Sequence, residues 1–390
     1  MPETLAEIIN ATTVQELRAR ASFKWSDPDR LGAGVAEMDF GAAPPILAAL
    51  ERLNGAATFG YLPPALADEL FAAVAGFQRR RFGWDFDPAL VHDVPDVLKA
   101  LELAITHYSR PGSPVILPTP AYMPFLTLPG YLNREIIQVP MRDDGVGLFT
   151  FDLDGIDAAF RAGGHMLILC NPCNPLGRVI TPAEMAQLTA VVDRHGGRVF
   201  ADEIHAALVY APATHTPYAS TSATAAGHTL TATSASKAWN LPGLKCAQVI
   251  VSNAADQDRW RQLNFFATHG ASNAGVVANI AACTEGDPWL AEALRYLDDS
   301  RQLLARLLAR HLPAVRYRPP DGTYLAWLDC SALSLPGSPG VLVKDRGFLT
   351  VIDGPECGAG GEGAFRLNFA TPQPVLTQMV ERIAQALASG

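Results

Sequence analysis

The chain has 390 residues, 49% of them apolar and 18% charged, and a formal net charge of −9 at neutral pH. That length exceeds what one hydrophobic core usually fills, so two domains are expected. The composition is that of a globular protein, and the acidic balance argues against nucleic acid or an anionic membrane surface as a partner.

The N-terminal stretch MPETLAEIINATTVQELRARASF mixes acids and arginines where a signal peptide would carry a continuous apolar core. No later run reaches about 18 uninterrupted apolar residues, so no transmembrane helix is expected. From residue 90 onward short apolar runs alternate with helical patterns. The predicted strands are LVHDV (90–94), PVILP (114–118), EIIQV (135–139), MLILC (166–170), RVFAD (198–202), TLTAT (229–233) and AQVIV (247–251). VLKALELAITHY (97–108) reads as a helix, as does PAEMAQLTAVVDRH (182–195), with Thr181 as N-cap and Pro182 at the first position. This alternation predicts an α/β domain with a mostly parallel seven-stranded sheet covered on both faces, spanning 46–284. After residue 285 a long helical pattern (289–311) leads into TYLAWL (323–328) and AFRLNFA (364–370), the best strand candidates there, and a closing helix after Pro374. That texture predicts a smaller α+β domain over 285–390. Residues 1–45 lack strand–helix alternation and are expected to pack with it. GAGGEG (358–363) reads as a turn, since a strand follows it where a phosphate loop would need a helix.

Six scattered cysteines fit reduced thiols and a cytoplasmic setting. Cys170 and Cys173, in CNPC, have redox or zinc spacing, but no second pair or histidine cluster completes a metal site.

In an open parallel sheet, ligands bind at the carboxyl ends of the strands. The polar residues there form a set. Backbone N–H groups around Val97 and Leu98 open a helix and could hold a phosphate. PTPAY presents Tyr122, NPCNPLG presents Asn171 and Asn174, ADEIH presents Asp202, and SASK presents Ser234, Ser236 and Lys237. Singly, each has a plainer role: Tyr122 as core, Asn174 as a turn residue, Asp202 as a helix cap, Lys237 as an exposed strand end. Together they suit an aromatic heterocycle bearing a phosphate and an aldehyde, which is pyridoxal 5′-phosphate.

NPCNPLG, ADEIH, SASK and FRLNFA occur in the order and at about the spacing of the fold-type I pyridoxal-phosphate enzymes, the aspartate aminotransferase superfamily, which the chain resembles over residues 25–385. The resemblance implies roles by position. Lys237 is the Schiff-base lysine, Asp202 the partner of the pyridinium nitrogen, Tyr122 the stacking residue, Asn174 the donor to the ring 3′-oxygen, and Ser234 a phosphate ligand. Lys245 stands where the family usually has a phosphate-binding arginine. Tyr61, in FGYLPP, matches the tyrosine that reaches the partner subunit's phosphate, so a homodimer with shared sites is implied. Arg366 matches the arginine that clamps the substrate α-carboxylate. His205 replaces a tyrosine common in aminotransferases, and Asp96 stands where relatives often have glycine.

AEMDF (36–40), DEIH (202–205), HTPYAS (215–220) and SASKAWNLPGLK (234–245) are similar to the cystathionine β-lyase, PatB/MalY-like branch of C–S lyases. That branch implies α,β-elimination from cystathionine or another cysteine S-conjugate, with Asp39 at the edge of the substrate. The same residues also support transamination between an amino acid and a 2-oxo acid.

Overall fold

The computed structural model describes residues 4–57 and 59–388. A seven-stranded sheet forms the centre: β1 (Val91–Val94), β2 (Val115–Thr119), β3 (Ile136–Pro140), β4 (Met166–Cys170), β5 (Arg198–Asp202), β6 (Thr229–Thr233) and β7 (Ala247–Val251). Their spatial order is β1-β7-β6-β5-β4-β2-β3. All pairings are parallel except those of β7, which runs antiparallel to both β1 and β6. The sheet is therefore mostly parallel, as expected, with one reversed strand.

The five inner strands are buried almost throughout because helices cover both faces. Helix α3 (Val97–Tyr108) lays Val97, Leu101 and Ile105 against Leu117, Ile168, Phe200 and Leu230 on one face. Helices α4 (Leu153–Arg161) and α5 (Pro182–Arg194) bury Ile156, Phe160, Met185, Leu188 and Val192 against Ile116, Leu167, Leu169 and Val199 on the other. The start of α5 is fixed by the expected cap: Thr181 and Glu184 form a reciprocal capping box. Helices α1 (Pro44–Gly55), α2 (Pro64–Phe82) and α6 (Asn273–Glu285), which the sequence pattern did not single out, pack together beside the sheet.

Helix α7 (Asp287–His311) leads to a three-stranded antiparallel sheet of β8 (Leu325–Asp329), β9 (Ile352–Asp353) and β10 (Ala364–Asn368), in the order β8-β10-β9. Helix α8 (Pro339–Arg346) and the closing helix α9 (Gln373–Ala388) pack on it. The N-terminal segment joins this region: Leu31–Gly32 pairs in parallel with Leu349–Thr350, and the Asn368 amide N–H donates to the Ala33 carbonyl at 2.8 Å. Residues 358–363 form turns leading into β10. No described helix is long and apolar enough to cross a membrane.

Candidate active site

A cavity of about 410 Å³ opens at the carboxyl edge of the central sheet. Asp202, the last residue of β5, is buried there, and its Oδ1 accepts from the Ile204 N–H at 3.0 Å. Burial pushes its carboxyl up to about 7, opposed by that backbone bond and by the nearby Lys237. Lys237 follows β6, and its Nζ donates to the Ala36 carbonyl at 3.0 Å. Burial, with the Arg366 charge, lowers its amine to about 8. A lysine so placed sheds its proton far more readily than one in water.

The loop after β4 delivers Asn174. Asn171 Oδ1 accepts the Ile180 N–H at 2.9 Å, which closes the loop, while Arg178 reaches Glu184 with both terminal nitrogens at 2.8 and 2.7 Å. Gly177 sits at φ +67°, where any Cβ would stand 2.3 Å from Pro320 Cβ, so the turn accepts only glycine. The turn sets Asn174 Oδ1 to accept Arg366 Nη1 at 2.8 Å. Arg366, from the centre of β10, is buried, and its Nη2 donates to the Gly34 carbonyl. Burial lowers its affinity for the proton.

Asp96 caps α3 by accepting the Lys99 N–H at 2.9 Å, and its other oxygen meets Lys245 Nζ at 2.9 Å. Val97, Leu98, Ser236 and Lys245 line this end of the cavity. Ser234 stands one layer back. Its hydroxyl donates to the Cys246 carbonyl at 2.7 Å and meets the Ser236 hydroxyl at 2.6 Å. The Tyr122 ring forms part of the wall, edge-on to Phe125, and burial raises its phenol. His205 is buried with Nδ1 unpartnered among the described residues, and burial holds its imidazole neutral, well below the usual range.

Lys237, Asp202, Tyr122, Asn174, His205, Lys245, Arg366, Val97 and Leu98 thus share one cavity. Three expected residues do not line it: Ser234, set one layer back behind Ser236, and Tyr61 and Asp39. Tyr61 is 89% exposed and lines a separate surface hollow with Phe265 and His269. Asp39, expected at the edge of the substrate, does not line the cavity. It is buried, with Oδ2 2.8 Å from Lys24 Nζ and Oδ1 accepting Trp25 Nε1 at 2.8 Å. Its carboxylate is thus engaged on one oxygen by an ammonium and on the other by an indole, the arrangement of a local anchor. The sequence reading missed Gly34, Val35 and Ala36 as a cavity wall, and Phe23, Met123, Cys170 and Ile352 as lining. Backbone carbonyls carry no residue signature. Among the described residues there is no cluster suited to a metal ion.

The donor set fits a flat phosphorylated aromatic aldehyde. An amine near neutrality, a buried carboxylate, an aromatic wall and a helix N-terminus beside a serine and a lysine meet in one space. Arg366 Nε, buried without a partner among the described residues, belongs to a guanidinium suited to a carboxylate.

These features define the fold-type I architecture of pyridoxal-phosphate enzymes, and the chain belongs to the aminotransferase class I and II family, whose profile matches residues 30–383. It is 37% identical to a cystathionine β-lyase of Corynebacterium glutamicum, over 96% of this chain and 99% of that one. It is 32% identical to the cystathionine β-lyase PatB of Bacillus subtilis, over 92% and 93%. A PLP-bound C–S lyase from Staphylococcus hominis superposes with a TM-score of 0.85 at 26% identity, over 93% of this chain and 89% of that one.

Proposed function

We propose that this protein is a pyridoxal 5′-phosphate-dependent carbon–sulfur lyase that cleaves cystathionine or related cysteine S-conjugates to pyruvate, ammonia and a thiol. The observation that carries the reading is the Lys237 amine, at about 8, in one cavity with the buried Asp202 and Arg366. Full-length similarity to lyases favours elimination over transamination.

When bound, pyridoxal phosphate supplies the electron sink that lets the Cα–H bond break and the β-thiolate leave. Asp202 would keep the ring nitrogen protonated by pairing with it. Tyr122 would cover the ring face, and Asn174 would donate to the ring hydroxyl. The α3 N–H groups, Ser236 and Lys245 would hold the phosphate, with Ser234 supporting Ser236. Arg366 orients the α-carboxylate, so that the α-hydrogen faces Lys237 Nζ, which accepts it as a proton.

The same reading divides the chain into a cofactor domain (46–284) and a smaller domain (285–390) joined by residues 1–45. It makes the enzyme a cytoplasmic homodimer in which the exposed Tyr61 of one subunit completes the other's site, with no nucleic-acid or membrane partner. The test is to incubate purified holoenzyme with cystathionine and with S-alkyl cysteines, and to score pyruvate and thiol together. Equal release of both without any 2-oxo acid is expected. Strict dependence on a 2-oxo acid acceptor would make the protein an aminotransferase.

A further inference from the structure

The carbonyl that receives Lys237 serves a second donor. Tyr324, just before β8, is fully buried, and its hydroxyl donates to Ala36 O at 2.9 Å, the same oxygen that accepts Lys237 Nζ at 3.0 Å. The peptides on either side are tied independently. Asn368 Nδ2 donates to the carbonyls of Val35 at 2.6 Å and Glu37 at 2.7 Å, and the Met38 N–H and carbonyl both bond the Asn240 side chain. The backbone at Ala36 is therefore held from outside the cavity, and its oxygen is a fixed acceptor with two lone pairs and two donors. The Tyr324 ring also stands edge-on to His205, with centroids 5.9 Å apart.

We propose that Tyr324 is a positioning residue for the reaction: by sharing the Ala36 carbonyl it sets where the free Lys237 amine rests and how firmly its charged form is held there. The proposal rests on the lyase reading of the cavity. A carbonyl oxygen favours an ammonium over a neutral amine, because it accepts a stronger bond from the charged donor. Two donors on one oxygen divide that capacity. With the phenol in place, the ammonium is held less tightly, so Lys237 both takes the α-proton and releases it again. Burial raises the Tyr324 phenol far above its usual range, so it remains a donor across the working pH. The other charged or titratable groups that face Lys237 are Arg366, Glu37, Asp202 and His205, and none of them touches Ala36 O.

Tyr324→Phe removes the hydroxyl and keeps the ring. The first readout is the pH dependence of pyridoxal-phosphate capture by full-length apoenzyme, followed by the new visible absorbance. With the carbonyl left to the ammonium alone, the midpoint should move to higher pH by about half a unit, a roughly threefold slower capture at neutral pH. In the holoenzyme kcat should fall up to about tenfold with KM within about twofold, and the isotope effect on an α-deuterated substrate should shrink, because the amine then takes the α-proton more readily and its return becomes limiting. An unchanged or lowered midpoint overturns the proposal. If Tyr324→Phe does not fold, Ala36→Gly decides: loosening this carbonyl should also displace the capture midpoint, and an unmoved midpoint overturns the proposal. If wild-type apoenzyme captures no pyridoxal phosphate, the lyase reading fails and the proposal with it. Capture by wild type and variant at the same midpoint overturns the proposal alone.

Discussion

Replacing Asp39 by asparagine separates a structural role from a substrate contact. The Lys24 side chain has 0% exposure and that of Asp39 4%, and the ammonium bonds Asp39 Oδ2 at 2.8 Å, Ala370 O at 3.0 Å and Glu37 O at 3.2 Å. Asparagine leaves Trp25 Nε1 its acceptor but takes the counter-charge from Lys24. Breaking one side of a buried ion pair costs about 3–5 kcal/mol, because the remaining charge stays out of water. At roughly 2.1 cal/mol/K of unfolding entropy per residue, a chain of 390 residues should lose about 4–6 °C in melting temperature. The cavity does not touch Asp39, so KM of the folded holoenzyme should stay within about twofold. Adding Lys24→Met should recover part of the loss, since no uncompensated charge then remains. Calorimetry and steady-state kinetics on the same preparations make the comparison. An undiminished melting temperature with a KM raised tenfold or more would refute the argument and return Asp39 to the substrate.

Lys237→Ala should abolish both turnover and the borohydride-sensitive visible absorbance, and retention of either would remove Lys237 from its role. In wild-type apoenzyme, capture of pyridoxal phosphate should accelerate as pH rises through about 8, because the amine reacts only after losing its proton. A flat profile across roughly pH 6–10 would contradict a depressed Lys237. Asp202→Asn should still bind the cofactor but slow turnover on the order of a hundredfold, as expected for losing a buried ionic partner worth roughly 3 kcal/mol. Near-normal kcat at full cofactor occupancy would show that Asp202 does not maintain the electron sink.

Every strand of the central sheet was legible because each is an apolar run bounded by turn residues, and the ends differ by a residue at most, as with 114–118 against Val115–Thr119. The reversed direction of β7 was not legible. Direction depends on how the chain returns to the sheet, and AQVIV would bury equally well either way. Helix α6 went unrecognised because it buries residues around much of its circumference, which blurs the periodic stripe, and α1 and α2, which pack on it, were not singled out either. The site was legible wherever a side chain with distinctive chemistry ends a strand, as Asp202 does, or follows one closely, as Asn174 and Lys237 do. It was not legible where the contact is a peptide oxygen, as at Gly34 and Ala36, or where partners are remote in sequence. Asp39 shows the second case: the Ala370 carbonyl that shares its Lys24 lies 346 positions from that lysine.

That remoteness has a consequence for synthesis. The Gly34–Arg366 contact joins one wall of the cavity to a strand near the far terminus. On the ribosome the central sheet could pair and cover its faces well before β10 emerges, yet the nascent protein would hold a reactive lysine and no finished clamp. Competence therefore waits on the last strand, and a chain released early would be a scaffold without an enzyme.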